Sequence, residues 1–219
     1  MKAPVLALLL GLAFPLSAPA GGLTDLLMAP GLLTQAPAGA DGAILRYAHE
    51  RRLPAPRQAD PSAQAAGGIL PTRPVERGQA VLSLSQDDSL LALSLSDDKT
   101  PAHVVAEFPR SGPNPILLFF LENVVRSMAT QTGGSPYYIR NRIRDSLVAL
   151  PAGTARDGVA EVALEPFAGD PNAPRMGEFA KLRLAIRYDP ARPGALVGLD
   201  ADTGDAGGYH ETLGLIAEK

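Results

Sequence analysis

Residues 114–150, NPILLFFLENVVRSMATQTGGSPYYIRNRIRDSLVAL, carry the sharpest pattern in the chain, two helices joined at a Gly-Gly turn. Asn114 offers a side-chain oxygen to an orphan backbone N–H of the first turn. Pro115 follows at the first helical position, where its missing N–H costs nothing. The run from Ile116 to Leu121 is apolar on every side, which predicts burial of most of the first half of this helix. The apolar stripe then narrows to Leu121, Val124, Val125 and Met128. Glu122 and Arg126 stand four residues apart in the favourable order for a helix-face pair. Gly133 supplies the left-handed residue that ends a helix, and Ser135-Pro136 repeats the cap-plus-proline start. The second helix collects Ile139, Ile143, Leu147 and Leu150 on one face. So short a connection predicts antiparallel helices, a helical hairpin over 114–150.

The polar side of this hairpin holds the candidate binding residues. Tyr137, Tyr138, Arg140, Arg142 and Arg144 combine phenol hydroxyls with guanidiniums, which fork onto carboxylate or phosphate. Phe119 and Phe120 on the first helix would meet an apolar ligand. The ordinary alternative is a basic face that is solvated or ties helix to sheet, because a charge run on a helix usually marks a solvated face.

Outward from the hairpin, alternation with a period of two predicts strands. Ala43 to Leu53 places Leu45, Tyr47 and His49 on one face. Gln79–Gln86 and Leu90–Ser96 form a hairpin around the turn Asp87-Asp88-Ser89, with Leu82 and Leu84 opposite Leu91, Leu93 and Leu95. His103–Pro109 puts Val104, Ala106 and Phe108 together. Beyond the helices, strands are expected at Val159–Pro166, Ala180–Asp189, Ala195–Asp202 and Tyr209–Ala217. The clearest alternation sets Leu182, Leu184, Ile186 and Tyr188 against Lys181, Arg183 and Arg187. Gly (22 residues) and Pro (21 residues) are abundant for a chain of 219, and they fall between strands. These patterns predict an α+β fold in which a curved antiparallel sheet of about seven or eight strands packs on the helical hairpin, a half-barrel-like plan.

Residues 1–20 read as a secretory signal, with Lys2, an apolar core from Val5 to Leu16 and Ala18-Pro19-Ala20 as a cleavage site. This predicts a periplasmic or secreted protein after removal near Ala20. Residues 21–42 form an N-terminal extension, in which Thr24 caps a single helical turn over Asp25-Leu26-Leu27-Met28. Residues 43–219 form one domain interrupted by a Pro-rich loop at 54–78. The absence of cysteine removes a disulfide framework and a lipid-modified cysteine. No segment after the signal is long and apolar enough for a bilayer span, so an integral membrane protein is not expected. A formal net charge of −3 argues against nucleic acid as a partner.

Catalytic signatures are thin. Nucleophile-elbow, phosphate-loop, zinc-protease and dinucleotide fingerprints are missing, and no cofactor is expected. His49-Glu50 and His210-Glu211 repeat a dipeptide, each after an aromatic or small neighbour on a strand. Neighbours on a strand point to opposite faces, so neither pair converges on one metal ion. Asp87-Asp88, Asp97-Asp98 and the acids of Asp200, Asp202 and Asp205 read as turn acids, since their spacing fits no calcium loop.

The plan is similar in architecture to the periplasmic lipoprotein-carrier type of half-barrel, whose helices lie on the concave face of an exported sheet. The leading functional expectation is non-catalytic binding of an apolar or lipid-like, anionic amphipathic ligand between sheet and hairpin. The alternative is an envelope protein-interaction or assembly module that uses a sheet edge or the Pro-rich loop. A histidine- or carboxylate-dependent hydrolase comes third. An apolar cavity of several hundred Å³ marks a binder, an exposed apolar patch marks an interaction module, and a histidine beside an acid in a cleft marks an enzyme.

Overall fold

A computed structural model describes residues 22–34, 36–39, 41–55, 72–86, 88–192, 194 and 196–216. The expected signal at 1–20 and the middle of the Pro-rich loop, 56–71, lie outside the described residues. The elements run α1 (Leu23–Leu27), β1 (Ala43–Arg52), β2 (Val75–Leu84), β3 (Leu90–Asp97), β4 (Thr100–Pro109), α2 (Pro115–Thr132), α3 (Pro136–Val148), β5 (Ala155–Arg156), β6 (Val159–Leu164), α4 (Ala173–Met176), a 3₁₀ turn (Gly177–Lys181), β7 (Arg183–Tyr188), β8 (Leu196–Asp202) and β9 (His210–Leu215). The fold is α+β, with one open sheet in the order β4-β3-β2-β1-β9-β8-β7-β6-β5. Every neighbouring pair is antiparallel.

The order joins two meanders, β1 to β4 and β5 to β9, along β1 and β9, the first and last strands in chain order. Their seam runs from Tyr47 opposite Leu215 to Arg52 opposite His210. Sequence alternation decides which side of each strand is dry. On β7, Leu184, Ile186 and Tyr188 are buried while Arg183 and Arg187 are exposed. On β1 the dry side is Tyr47, His49 and Arg51, so this strand carries polar groups into the interior.

The helices start and stop where their caps dictate. The Asn114 side chain accepts from the backbone N–H of Ile116 at 3.0 Å and of Leu117 at 3.4 Å, and its own amide donates to the Gly194 carbonyl. Gly133 ends α2 at φ 66° and ψ 12°, a left-handed geometry that costs a glycine little. Ser135 caps α3 by accepting from Tyr138 N. Ile116, Leu117, Phe120, Val124, Val125 and Met128 from α2 and Ile139, Ile143 and Leu147 from α3 belong to the buried apolar cluster. So do Leu23, Leu26 and Leu27 of α1, so the start of the expected extension is part of the core.

The structure departs from the sequence reading at several places. There are nine strands, because the two-residue β5 pairs with β6. β2 begins at Val75, four residues before Gln79, so the last part of the expected Pro-rich loop is strand. β7 begins at Arg183 because α4 and the 3₁₀ turn take up residues 173–181. The helix at the N-terminus is capped at Gly22, not Thr24, and the Asp25 carboxylate accepts from Gly22 N.

β4 forms one edge of the sheet and is exposed along most of its length. Its ladder slips between Ala106 and Val104, which removes Val104 from the face it would share with Phe108 and leaves it 57% exposed. Among the described residues no helix is long and apolar enough to cross a membrane.

Candidate functional site

The seven residues singled out in sequence do not gather at one site. Phe120 is fully buried in the core, and Phe119 sets its ring edge-to-face against His49 at 5.6 Å. Arg140 reaches back to α2, its Nη2 donating to Glu122 Oε2 at 2.9 Å, and Arg126 donates to the same carboxylate. Arg144 pairs with its neighbour Asp145 in solvent, and Tyr137 is 72% exposed. These exposed ion pairs are worth roughly 1 kcal/mol or less each.

Arg142 and Tyr138 meet at Asp170, a buried acid in the loop before α4. The Tyr138 hydroxyl donates to the Asp170 carboxylate, 2.7 Å from Oδ2, and accepts from Asn172 Nδ2 at 3.1 Å. Arg142 Nε stands 2.9 Å from Asp170 Oδ2, an ionic contact outside hydrogen-bond alignment. Its Nη2 donates to the Pro166 carbonyl. Burial pushes the Asp170 carboxyl up, but the Tyr138 hydroxyl, the Asn172 amide and the Arg142 charge together hold it below the usual carboxylate range. These groups tie α3 to the α4 loop.

A second polar cluster lies inside the core. Glu211 on β9 is 0% exposed, and His49 on β1 is 2% exposed. Glu211 Oε1 receives His49 Nε2 at 2.8 Å, Asn123 Nδ2 of α2 at 2.9 Å and Arg51 Nη1 at 3.4 Å. Its Oε2 accepts from the Tyr209 hydroxyl. Burial, then the Glu211 charge, pushes the Tyr209 phenol well above its ordinary value. Arg51 Nε also donates to the Arg73 carbonyl. The Glu211 carboxylate is therefore fully engaged, and neither histidine nor acid faces solvent. The arrangement braces β1, β9 and α2, and among the described residues Glu211 and His49 line neither the recess at the α2–α3 turn nor the one beside Pro54.

The two His-Glu dipeptides thus cross over, His49 meeting Glu211, while His210 Nδ1 pairs with Asp202 Oδ2 at 2.7 Å on the other face of the sheet. Asp200, beside that pair, is raised by burial, against the pull of His210 and with the push of Asp202. His103 is exposed, and its ring nitrogen stands 3.0 Å from the Pro101 carbonyl two residues away. Among the described residues no three His, Cys, Asp or Glu side chains could jointly hold a metal ion.

A recess lies at the turn between α2 and α3. It is a groove of about 350 Å³ lined by ten residues of α2, the Gly133–Ser135 turn, α3 and the α4 region. Met128, Ile139 and Met176 give it an apolar floor, and Thr132, Tyr138 and Asn172 supply polar edges. Arg175 is the one charged residue of the lining. Its side chain has no ion-pair or hydrogen-bond partner among the described residues. Gly177, just after Met176, has φ 58° and ψ −133°, a conformation essentially restricted to glycine, which lets the chain fold back after α4. A recess of about 50 Å³ reached from Pro54 and Ala55 shares Thr132 and Met176 with the groove.

Of the residues expected from sequence, Tyr138 alone lines the groove. Asn172, Arg175 and Met176 escaped notice because residues 167–179 carry no periodic signal. Comparison with protein-family models, with characterised proteins and with solved structures finds no match to this chain.

Proposed function

We propose that this chain is a non-catalytic binding protein that takes a small apolar or amphipathic ligand in the groove at the α2–α3 turn. The observation that carries this reading is the groove itself, about 350 Å³ with a floor of Met128, Ile139 and Met176. Its volume falls in the range of small-molecule sites, and its make-up, mostly apolar with a few polar groups, is the usual one for them. Methionines suit such a floor because unbranched thioethers adapt to varied shapes. The interface between sheet and α2 is a poorer location, since Ile116, Leu117, Phe120 and Val124 are packed in the core and line neither recess. A curved sheet cradling the helical hairpin agrees with the placement of α2 and α3 residues in one buried cluster. The expected export of the chain rests on residues 1–20 and would place the groove in the periplasm or outside the cell.

The test is fluorescence titration with 1-aminonaphthalene, with Gly134→Leu as the blocked variant. A Cβ on Gly134 would lie 3.0 Å from Thr132 Oγ1 and 3.6 Å from Ile139 Cδ1, so the new side chain enters the groove. Saturable one-to-one binding, weakened at least tenfold in a Gly134→Leu protein of unchanged melting temperature, is the expected result. Equal binding by both proteins, or none by either, rejects the groove.

Protein docking along β4 is the second reading, favoured by the exposure of Val104 (57%) and Val105 (42%) on an edge strand. Pro101, Pro109 and the slip at Val105 interrupt that edge, devices that blunt strand addition. Pull-down with an immobilised chain and its Val104→Asp, Val105→Lys variant decides: capture lost only in the variant supports docking at β4.

A further inference from the structure

On the reading that the groove binds a ligand, we infer that the ligand is a single-chain monoanion of medium length, a fatty carboxylate of about eight to twelve carbons, with its head group on Arg175. Three observations lead here. The first is size. At about 30 Å³ per water-sized unit, a volume of about 350 Å³ holds on the order of a dozen non-hydrogen atoms. One short acyl chain fills that space.

The second is the lining. The floor of Met128, Ile139 and Met176 offers no hydrogen bond, while Thr132, Tyr138 and Asn172 stand at the edges, so the part of a ligand seated on the floor is best apolar and any polar group best placed at the rim. An alkyl chain with one polar end has that form.

The third is charge. Nine of the ten lining residues are uncharged and the tenth is Arg175. The neighbouring cations are committed: Arg142 to Asp170, and Arg140 to Glu122. Arg175, in the last turn of α4, has no carboxylate partner among the described residues. A guanidinium at the rim of an apolar groove complements one carboxylate, and its planar fork matches both oxygens. Asp170, joined to the lining residues Tyr138 and Asn172, is balanced by Arg142, so Arg175 is the charge that a ligand at this rim meets.

The experiment is isothermal titration of the full chain with sodium octanoate, decanoate, dodecanoate and hexadecanoate and with 1-decanol. The native protein, Arg175→Gln and Gly134→Leu are compared. Arg175 is exposed, so its replacement leaves the fold intact, which circular dichroism verifies. The expected result is tightest binding at ten to twelve carbons, with decanoate weakened fivefold or more in Arg175→Gln while 1-decanol is unchanged. Hexadecanoate binding tenfold tighter than decanoate overturns the size assignment. Equal loss for decanoate and 1-decanol overturns the role of Arg175. In both of those cases weak binding by Gly134→Leu would leave the groove reading standing. Failure of every compound to bind removes the groove reading together with this one.

Discussion

Replacing Glu211 with alanine should be strongly destabilising, and the structure sets the size of the loss. Glu211 is 0% exposed and takes donors from His49, Asn123, Arg51 and Tyr209. Alanine strands the first two and the Tyr209 hydroxyl, at about 1–3 kcal/mol for each buried group left without a partner. It also leaves the Arg51 guanidinium, 7% exposed, without a counter-charge; breaking a buried ion pair in this way costs about 3–5 kcal/mol. The penalties overlap, because partners relax together, so a total of about 4–6 kcal/mol is expected. Glu211→Gln keeps one acceptor oxygen and the side-chain volume and should cost about half as much. Urea unfolding followed by far-UV circular dichroism measures both, with an unchanged slope against denaturant as the sign that only stability moved. A loss below about 1 kcal/mol for Glu211→Ala would refute the claim that this carboxylate braces β1, β9 and α2. Glu107→Ala, on the exposed side of β4, serves as the control and should stay within about 0.5 kcal/mol.

Gly133→Val should destabilise the chain by at least about 1–2 kcal/mol, read in the same unfolding assay, because a β-branched residue is strained at φ 66°. No atom stands within 4 Å of a Cβ added there, so an unchanged midpoint would mean that the turn is not held in the left-handed conformation. Asp170 and Asp200 should respond to pH in opposite senses. The folded-state pKa of Asp170 is lowered, so its contribution is present above the unfolded carboxylate range and is lost as pH falls through the folded value. Asp170→Asn should therefore destabilise at pH 7, with the difference from native shrinking as the pH drops below about 4. The folded-state pKa of Asp200 is raised, so its ionisation opposes folding at neutral pH. Asp200→Asn should stabilise at pH 7, and that gain should vanish in acid. Melting temperatures from pH 3 to pH 8 test both, and shifts of the same sign would contradict the assignment.

What the sequence disclosed depended on the range of the interaction concerned. Local signals were legible. Asn114-Pro115, Gly133 and Ser135-Pro136 placed the ends of α2 and α3 because caps act within a few residues. Leu184, Ile186 and Tyr188 showed which face of β7 is dry because alternation is local too. The short α4 was hidden, since Pro174 and Gly177 read as loop and four residues cannot show a helical period. The Glu211 cluster was hidden for another reason. His49 and Glu211 are 162 positions apart and meet only because β1 lies beside β9. A chain that alternates correctly on both strands still does not say which strands will be neighbours. Arg140 and Arg142 look in sequence like an anion site, and Glu122 and Asp170 occupy them in the fold. Arg175, which stands in no charge run, is the cation left at the groove.

The central claim, a ligand groove at the α2–α3 turn, is tested most directly by the methionine methyl resonances. Met128 and Met176 line the groove, whereas Met28 lies just after α1 and packs on the core. A chain labelled with carbon-13 at the methionine methyls would be titrated with sodium decanoate under two-dimensional NMR. Saturable shifts of the Met128 and Met176 methyls with Met28 unmoved are the predicted result. Unmoved Met128 and Met176 signals at millimolar decanoate, or equal shifts at Met28, would contradict the account.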